Sequence, residues 1–394
     1  MIGISKLYCG AVEASDVLRY GRNSQKLPSH LLQFSKDKKP VVVWNVTRTC
    51  NLRCIHCYSK SENCSYPGEL TTEEGMNFIK DIAQFKSPVI LFSGGEPLMR
   101  KDIFELIGKA REEGLRAVIS TNGTLINKDT ARKLKTFGLS YVGISLDGME
   151  PTNDKFRKQE GAFKKAIQGI KNCKEEGIKV GLRFTINKHN YKDIPAIMDF
   201  VEEEDIPRIC FYHLVYSGRG SELIKEDLSH DETRKTVEFI MNRTRQYFKD
   251  GKPKEVLTVD NHTDGVFTYL KLKEEDPKRR EEVYELLKMN GGNSSGNGIA
   301  CVGWTGDIHA DQFLRHYIFG NVKERKFSEV WVDPEIELLN KFKNKIPHLK
   351  GRCGLCKYKD ICGGNFRARA EAVTGDIWEA DPACYLTDEE IGIK

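Results

Sequence analysis

Six short runs of apolar and β-branched residues recur through the first half of this 394-residue chain, at 41–47, 88–93, 116–120, 141–146, 178–186 and 208–215. Between them lie stretches with helical periodicity, at 71–85, 102–114, 128–137, 161–176 and 191–204. Thr71-Thr72-Glu73-Glu74 supplies a cap followed by first-turn acids, and Gly114 and Gly177 stand where helices should stop. Strands alternating with helices demand a parallel sheet with right-handed crossovers. Six units are too few to close an eight-stranded barrel. The expected fold class is therefore α/β, a partial, open (β/α)6 barrel whose ligands gather at the C-terminal ends of the strands.

The rest of the chain divides by composition. Residues 1–40 are mixed and polar and read as an N-terminal extension to a core over 41–220. Residues 221–299 read as a helical and linker region: a helix near 231–249, a charged stretch KLKEEDPKRREEVYELLK, and a flexible tract from Asn290 to Gly298, together a linker or lid. Residues 300–394 are rich in Gly and Cys and suit a small domain organised around a metal. Hydrophobic residues at 39% and charged residues at 30% are ordinary for a soluble protein, and a net charge of +5 spread along the chain gives no sign of a nucleic-acid partner. No basic start precedes an apolar run, and no stretch is long enough to span a membrane. The expected location is the cytoplasm. In that reducing compartment 12 cysteines point to metal binding rather than disulfides.

Directly after the first strand the chain reads Thr47-Arg-Thr-Cys50-Asn-Leu-Arg-Cys54-Ile-His-Cys57-Tyr58. Three thiolates on one tight loop can hold three irons of a cubane, leaving the fourth iron open to chelate an amino and a carboxylate group. Zinc is the alternative, with His56 as a fourth ligand. His56 directly precedes Cys57, however, and would reach poorly toward the same ion.

This C-x3-C-x2-C loop resembles the signature of the radical S-adenosylmethionine superfamily. Members often carry an aromatic ring between the last two cysteines, where this chain has His56. Three further motifs follow in the family's order: Ser93-Gly94-Gly95-Glu96-Pro97 after the second strand, Ser120-Thr121-Asn122-Gly123 after the third, and Ser145-Leu146-Asp147-Gly148 after the fourth. The resemblance implies a 4Fe–4S cluster on Cys50, Cys54 and Cys57 that cleaves S-adenosylmethionine reductively. It implies cofactor contacts from Gly94, Gly95 and Glu96 to the methionine amino group, and further contacts from Asn122 and Ser145. Arg157 matches the position that pairs with the cofactor carboxylate, a task suited to a guanidinium. The ordinary alternative for Arg157 is a solvated surface arginine.

Near the C-terminus Cys353, Cys356 and Cys362 follow a C-x2-C-x5-C spacing, with Cys384 further on. Four cysteines suit zinc or a second cubane, and spacing alone does not choose. The arrangement resembles the SPASM-type extension of many radical enzymes, which holds auxiliary iron–sulfur clusters. Complete SPASM domains carry another cysteine where this chain has Phe366, and the upstream set is reduced to Cys301. One auxiliary 4Fe–4S cluster on Cys353, Cys356, Cys362 and Cys384 is the expectation. Cys173 and Cys210, in apolar contexts, read as buried inert thiols.

The opening MIGISKLYCG, the stretch before the cysteine loop and Phe211–Gly220 resemble the tetrapyrrole-modifying branch of the superfamily, most nearly its didecarboxysiroheme deacetylases. The implied reaction removes two acetate side chains from iron didecarboxysiroheme to give iron-coproporphyrin III. The implied partners are that iron tetrapyrrole and a low-potential electron donor such as ferredoxin or flavodoxin. Acidic side chains on the macrocycle call for cations, and Arg22, Arg183, His213 and Arg219 are the candidates; each has an ordinary structural reading as well. The alternatives are propionate removal for d-type heme, propionate decarboxylation by a heme synthase, a peptide-modifying SPASM maturase, and a zinc-stabilised scaffold without catalysis.

Overall fold

The computed structural model describes residues 1–20 and 39–393. Its strands are β1 (Ile2–Gly3), β2 (Val41–Thr47), β3 (Val89–Gly94), β4 (Arg116–Thr121), β5 (Tyr141–Ser145), β6 (Val180–Ile186), β7 (Arg208–His213), β8 (Glu255–Val259), β9 (Ile299–Val302) and β10 (Ile308–His309). They form one sheet in the order β1-β8-β7-β6-β5-β4-β3-β2-β9-β10. From β2 to β8 every neighbouring pair is parallel, so the expected six-unit partial barrel is present. Helices Thr72–Gln84, Ile103–Glu112, Lys128–Thr136, Ala162–Glu175 and Ile194–Glu203 cross between its strands. Thr71 caps the first of these with the reciprocal box to Glu74 that its sequence announced.

Side chains alternate across the wall. Trp44 points outward and meets Phe78 edge-on at 5.4 Å. Val41, Val89, Leu91, Val118, Leu257 and Val259 point into the lumen, where with other residues they line a cavity of about 450 Å³.

The linker reading needs correction. Residues 255–259 are β8, a seventh parallel strand, and the charged stretch forms two packed helices, Thr263–Glu275 and Pro277–Asn290. Arg279 donates to the carbonyls of Lys6, Leu7 and Tyr8 at the end of helix Ile4–Cys9, supplying a cation at its negative C-terminal end. The start of the chain is likewise built in, since β1 runs antiparallel to β8. At the other edge β9 joins β2 in parallel, so the cysteine-rich C-terminal part extends the same sheet. Among the described residues no helix is long and apolar enough to cross a membrane.

Candidate active site

The loop after β2 is held by backbone on every side. Cys50 N–H donates to Glu62 O at 3.0 Å, Ile55 N–H to Phe156 O at 3.1 Å, and Arg219 N–H to Cys57 O at 3.0 Å. Gly94 and Gly95 press against it from β3. A Cβ on Gly94 would stand 2.2 Å from Thr47 O, and one on Gly95 2.2 Å from Thr49 O. Gly94 also has φ +132°, which disfavours a side chain. The Gly95 and Glu96 amides donate to Thr47 O and Thr49 O at 2.8 and 2.9 Å. These contacts gather Cys50, Cys54 and Cys57 into one largely buried patch with Leu52.

The motif residues brace this loop as a network. The fully buried Glu96 carboxylate accepts from the Leu98 and Asn122 amides (3.1 and 2.8 Å) and from Thr121 Oγ1 (2.7 Å). Burial pushes its carboxyl above the ordinary range, against those hydrogen bonds. The Asn122 side chain donates to Asn51 Oδ1 at 2.8 Å, inside the cysteine loop. Both side chains are therefore occupied with positioning. The Ser145 hydroxyl, at the C-terminal end of β5, makes no side-chain hydrogen bond among the described residues.

Arg157 is not the solvated surface residue of the ordinary reading. Helix Glu150–Arg157, which the periodicity did not announce, carries it inward to 7% exposure. Its Nη1 lies 3.4 Å from Cys54 Sγ, its Nη2 pairs with Asp147, and its Nε is buried without a partner. Asp147, missed as a site residue although it lies in the SLDG motif, also accepts from the Thr185 amide at 2.6 Å. His56 stacks on Phe156 with centroids 4.5 Å apart and an interplanar angle of 25°. Burial holds its imidazole down at about 4, aided by Arg157 and Arg219 and opposed by Asp147. His56 is thus a neutral flat ring doing the packing work of an aromatic residue. Burial pushes the Cys50 and Cys54 thiols up. At Cys57 burial is outweighed by hydrogen bonds from Ser59 and Ser61 and by Arg219, so its thiol lies below the ordinary range.

The second cysteine set also converges. Cys353, Cys356, Cys362 and Cys384 line one small cavity with Arg352, Lys359 and Asp381. Burial raises the Cys353, Cys356 and Cys362 thiols. A fully buried pair, Arg369 and Asp381 at 2.9 Å, fixes this region to the barrel, with Arg369 donating to Leu214 O and Asp260 O at 3.1 and 2.5 Å. Among the described residues no group of three or more His, Cys, Asp or Glu is arranged for a single metal ion. A cubane distributes its thiolates over separate irons. Both sets fit that donor chemistry: soft sulfur in buried or half-buried groups gathered in one place.

The substrate candidates separate. Arg183 lies in the lumen cavity, its guanidinium 4.6 Å from the Tyr212 ring centroid. Arg219 lies elsewhere: its Nε and Nη2 donate to Cys54 O (2.8 Å) and Ser61 O (3.0 Å), and it lines a groove outside the cysteine loop. His213 is bonded through Nε2 to the buried Asp264 at 2.8 Å and does not line the lumen cavity. Arg22 lies outside the described residues. The motif loops stand at the C-terminal strand ends. The large apolar cavity runs down the lumen to the N-terminal ends of β2, β3 and β4, past Phe313 and Phe366. Phe366, where a complete SPASM domain has cysteine, packs edge-on against Phe313 at 5.4 Å, and Phe313 against Tyr58 at 5.3 Å.

A partial barrel with a three-cysteine loop after its first core strand, braced by glycine and asparagine loops from the next strands, defines a radical S-adenosylmethionine enzyme. The family model described as the radical SAM superfamily matches residues 44–201, and the chain belongs to that superfamily, whose members use a 4Fe–4S cluster and S-adenosylmethionine. It is 65% identical over 395 residues to the Fe-coproporphyrin III synthase of Methanosarcina barkeri, covering 100% of this chain and 99% of that one. It is 41% identical to the pre-heme d1 synthase of Dinoroseobacter shibae over 90% of this chain and 88% of that one. Among solved structures, Streptococcus suis SuiB bound to S-adenosylmethionine superposes with a TM-score of 0.71 at 19% identity, covering 97% of this chain and 89% of that one, a likeness of fold.

Proposed function

We propose that this chain breaks the bonds joining two acetate side chains to the ring of iron didecarboxysiroheme, giving iron-coproporphyrin III. The observation that carries this reading is the 65% identity, end to end, with an Fe-coproporphyrin III synthase, set against 41% with the pre-heme d1 synthase. A deep apolar cavity with unpaired guanidinium groups supports it, because the substrate is a flat apolar ring edged with carboxylates.

In this reading Cys50, Cys54 and Cys57 hold the 4Fe–4S cluster. When bound, the cluster would pass an electron to the sulfonium of S-adenosylmethionine and so supply the radical that abstracts hydrogen from the substrate. The chain's residues do the rest. Gly94 and Gly95 let backbone approach the methionine end of the cofactor closely, and Glu96 and Asn122 keep that backbone in place. Ser145 offers a free hydroxyl. Arg157, held by Asp147, presents its positive charge beside Cys54 and toward the cofactor carboxylate. The lumen walls keep water and stray hydrogen donors from the reacting centre. Cys353, Cys356, Cys362 and Cys384 hold one auxiliary 4Fe–4S cluster, an electron relay or structural prop. A low-potential cytoplasmic donor such as ferredoxin or flavodoxin supplies electrons.

The test is anaerobic turnover with S-adenosylmethionine and a strong reductant on three iron tetrapyrroles: didecarboxysiroheme, the d-type heme precursor and iron-coproporphyrin III. Loss of both acetates from didecarboxysiroheme alone is expected. An unchanged mass for that substrate, or loss of propionate carbons from another, would overturn the assignment.

A further inference from the structure

The lumen cavity carries an excess of positive charge. Arg19, Arg116, Arg183 and Arg208 all line the cavity. Two are neutralised: Arg19 pairs with Asp16 and Glu255, and Arg208 with Glu255. Arg116 and Arg183 form no side-chain hydrogen bond or ion pair among the described residues. The cavity's own carboxylates, Asp260 and Asp311, are not paired with either, and Asp311 is occupied by Ser295 Oγ and the Phe313 and Leu314 amides. Burial, and then the like charge of Arg208, lower the hold of Arg116 on its proton, opposed by Glu255 and Tyr141. Among the described residues no carboxylate lies within ion-pair distance of either, and only the longer-range attraction of Glu255 for Arg116 and of Asp260 for Arg183 offsets their charge, so both half-buried guanidinium groups keep donors that an anion could meet.

Space is reserved for one of them. A Cβ on Gly143 of β5 would stand 3.0 Å from Arg183 Cδ, so the bare glycine leaves room for the side chain to lie across the wall. The two arginines stand at different depths. Arg116 opens β4 at the N-terminal mouth, whereas Arg183 pairs in register with Ser145, close to the motif loops. A small acid cannot meet both. A macrocycle with carboxylates round its rim can, and Tyr212, Phe313 and Phe366 supply aromatic surface for its face.

Resting on the tetrapyrrole reading above, we infer that Arg116 and Arg183 are the two carboxylate anchors that hold the substrate's rim in the lumen. Arg116 takes a carboxylate at the mouth, and Arg183 takes one near the cofactor end. The anchors set which edge of the ring faces the cysteine loop, and therefore which side chains react.

The experiment titrates iron-coproporphyrin III into anaerobic holoenzyme and follows the porphyrin absorbance. Iron etioporphyrin, the same ring class without carboxylates, is the comparison. Arg116→Gln and Arg183→Gln should each weaken iron-coproporphyrin III binding by roughly 10- to 100-fold, the worth of a charge-assisted contact, while etioporphyrin binding changes little. Arg116→Lys and Arg183→Lys should recover part of the loss. Gly143→Ala, which crowds Arg183 without removing its charge, should weaken binding in the same sense. Iron and sulfide contents equal to wild type report that each variant is folded. Glutamine variants that bind iron-coproporphyrin III as tightly as wild type would overturn the anchors, as would an equal loss for etioporphyrin. Turnover of iron didecarboxysiroheme by wild type keeps the two readings apart. Turnover with variant binding unchanged removes the anchors alone, and weakened variant binding without wild-type turnover removes the reaction and leaves the anchors standing.

Discussion

Asp147 accepts from Arg157 on one carboxylate oxygen and from the Thr185 amide on the other, and no part of it meets solvent. Its charge is what allows a guanidinium to sit buried beside Cys54. Asp147→Asn keeps the shape and removes that compensation, so Arg157 is left as an uncompensated buried cation at a cost of about 3 kcal/mol. A lowered unfolding midpoint in anaerobic thermal denaturation is the expected result, and an unchanged midpoint would show that Arg157 finds its counter-charge elsewhere. The sequence marked the SLDG motif but not the role of its aspartate, because the partner arginine lies ten positions on, in a helix of only eight mostly polar residues, EPTNDKFR. The three cysteines themselves were fully legible, since their chemistry is written in local spacing.

At the scale of elements, the contact between the β3 loop and the cysteine loop is backbone against backbone. Gly95 has no flexible side chain to displace: the atom its Cβ would strike is Thr49 O, and Arg48 O lies 2.6 Å from the same point. Gly95→Ala must therefore shift one loop, with an overpacking cost of about 1–3 kcal/mol. The displacement falls on the loop carrying Cys50, so iron and sulfide per chain should drop when measured after reconstitution. Normal loading would mean that the loop accommodates the methyl group. The six core strands were legible to within two or three residues, because both faces are covered and their apolar runs are nearly continuous. β8 was not: EVLTV is five residues long beside charged stretches, and its burial comes from β7 and β1. β1 and β10 have two residues each, too few to carry a period.

The whole molecule ties both cysteine sets to one sheet through the segments that follow its strands. β2 leads into the first set and pairs with β9, and Asn293, which lines the lumen cavity, donates its N–H to Cys362 O of the second set at 3.1 Å. Holoenzyme with two cubanes should carry roughly eight iron and eight sulfide atoms per chain. Cys362→Ser should reduce both to roughly four by chemical analysis, and Cys54→Ser should abolish 5′-deoxyadenosine formation. Iron content unaffected by Cys362→Ser would remove the auxiliary cluster from the account. The lumen was the part least legible beforehand. Its lining comes from eight strands, two helices and several loops, most strands giving only one or two residues, so Arg116 and Arg183 become neighbours of one cavity only after the barrel has formed. Sequence offered Arg183, His213 and Arg219 on equal terms; only the wall's alternation and the Asp264 and cysteine-loop contacts separate them.

The central claim is that a radical made from S-adenosylmethionine takes hydrogen from an iron tetrapyrrole held by this chain. The direct measurement uses iron didecarboxysiroheme deuterated on its side chains and mass spectrometry of the 5′-deoxyadenosine formed during turnover. Deuterium should appear in 5′-deoxyadenosine as iron-coproporphyrin III accumulates. Unlabelled 5′-deoxyadenosine accompanying full conversion would contradict the account.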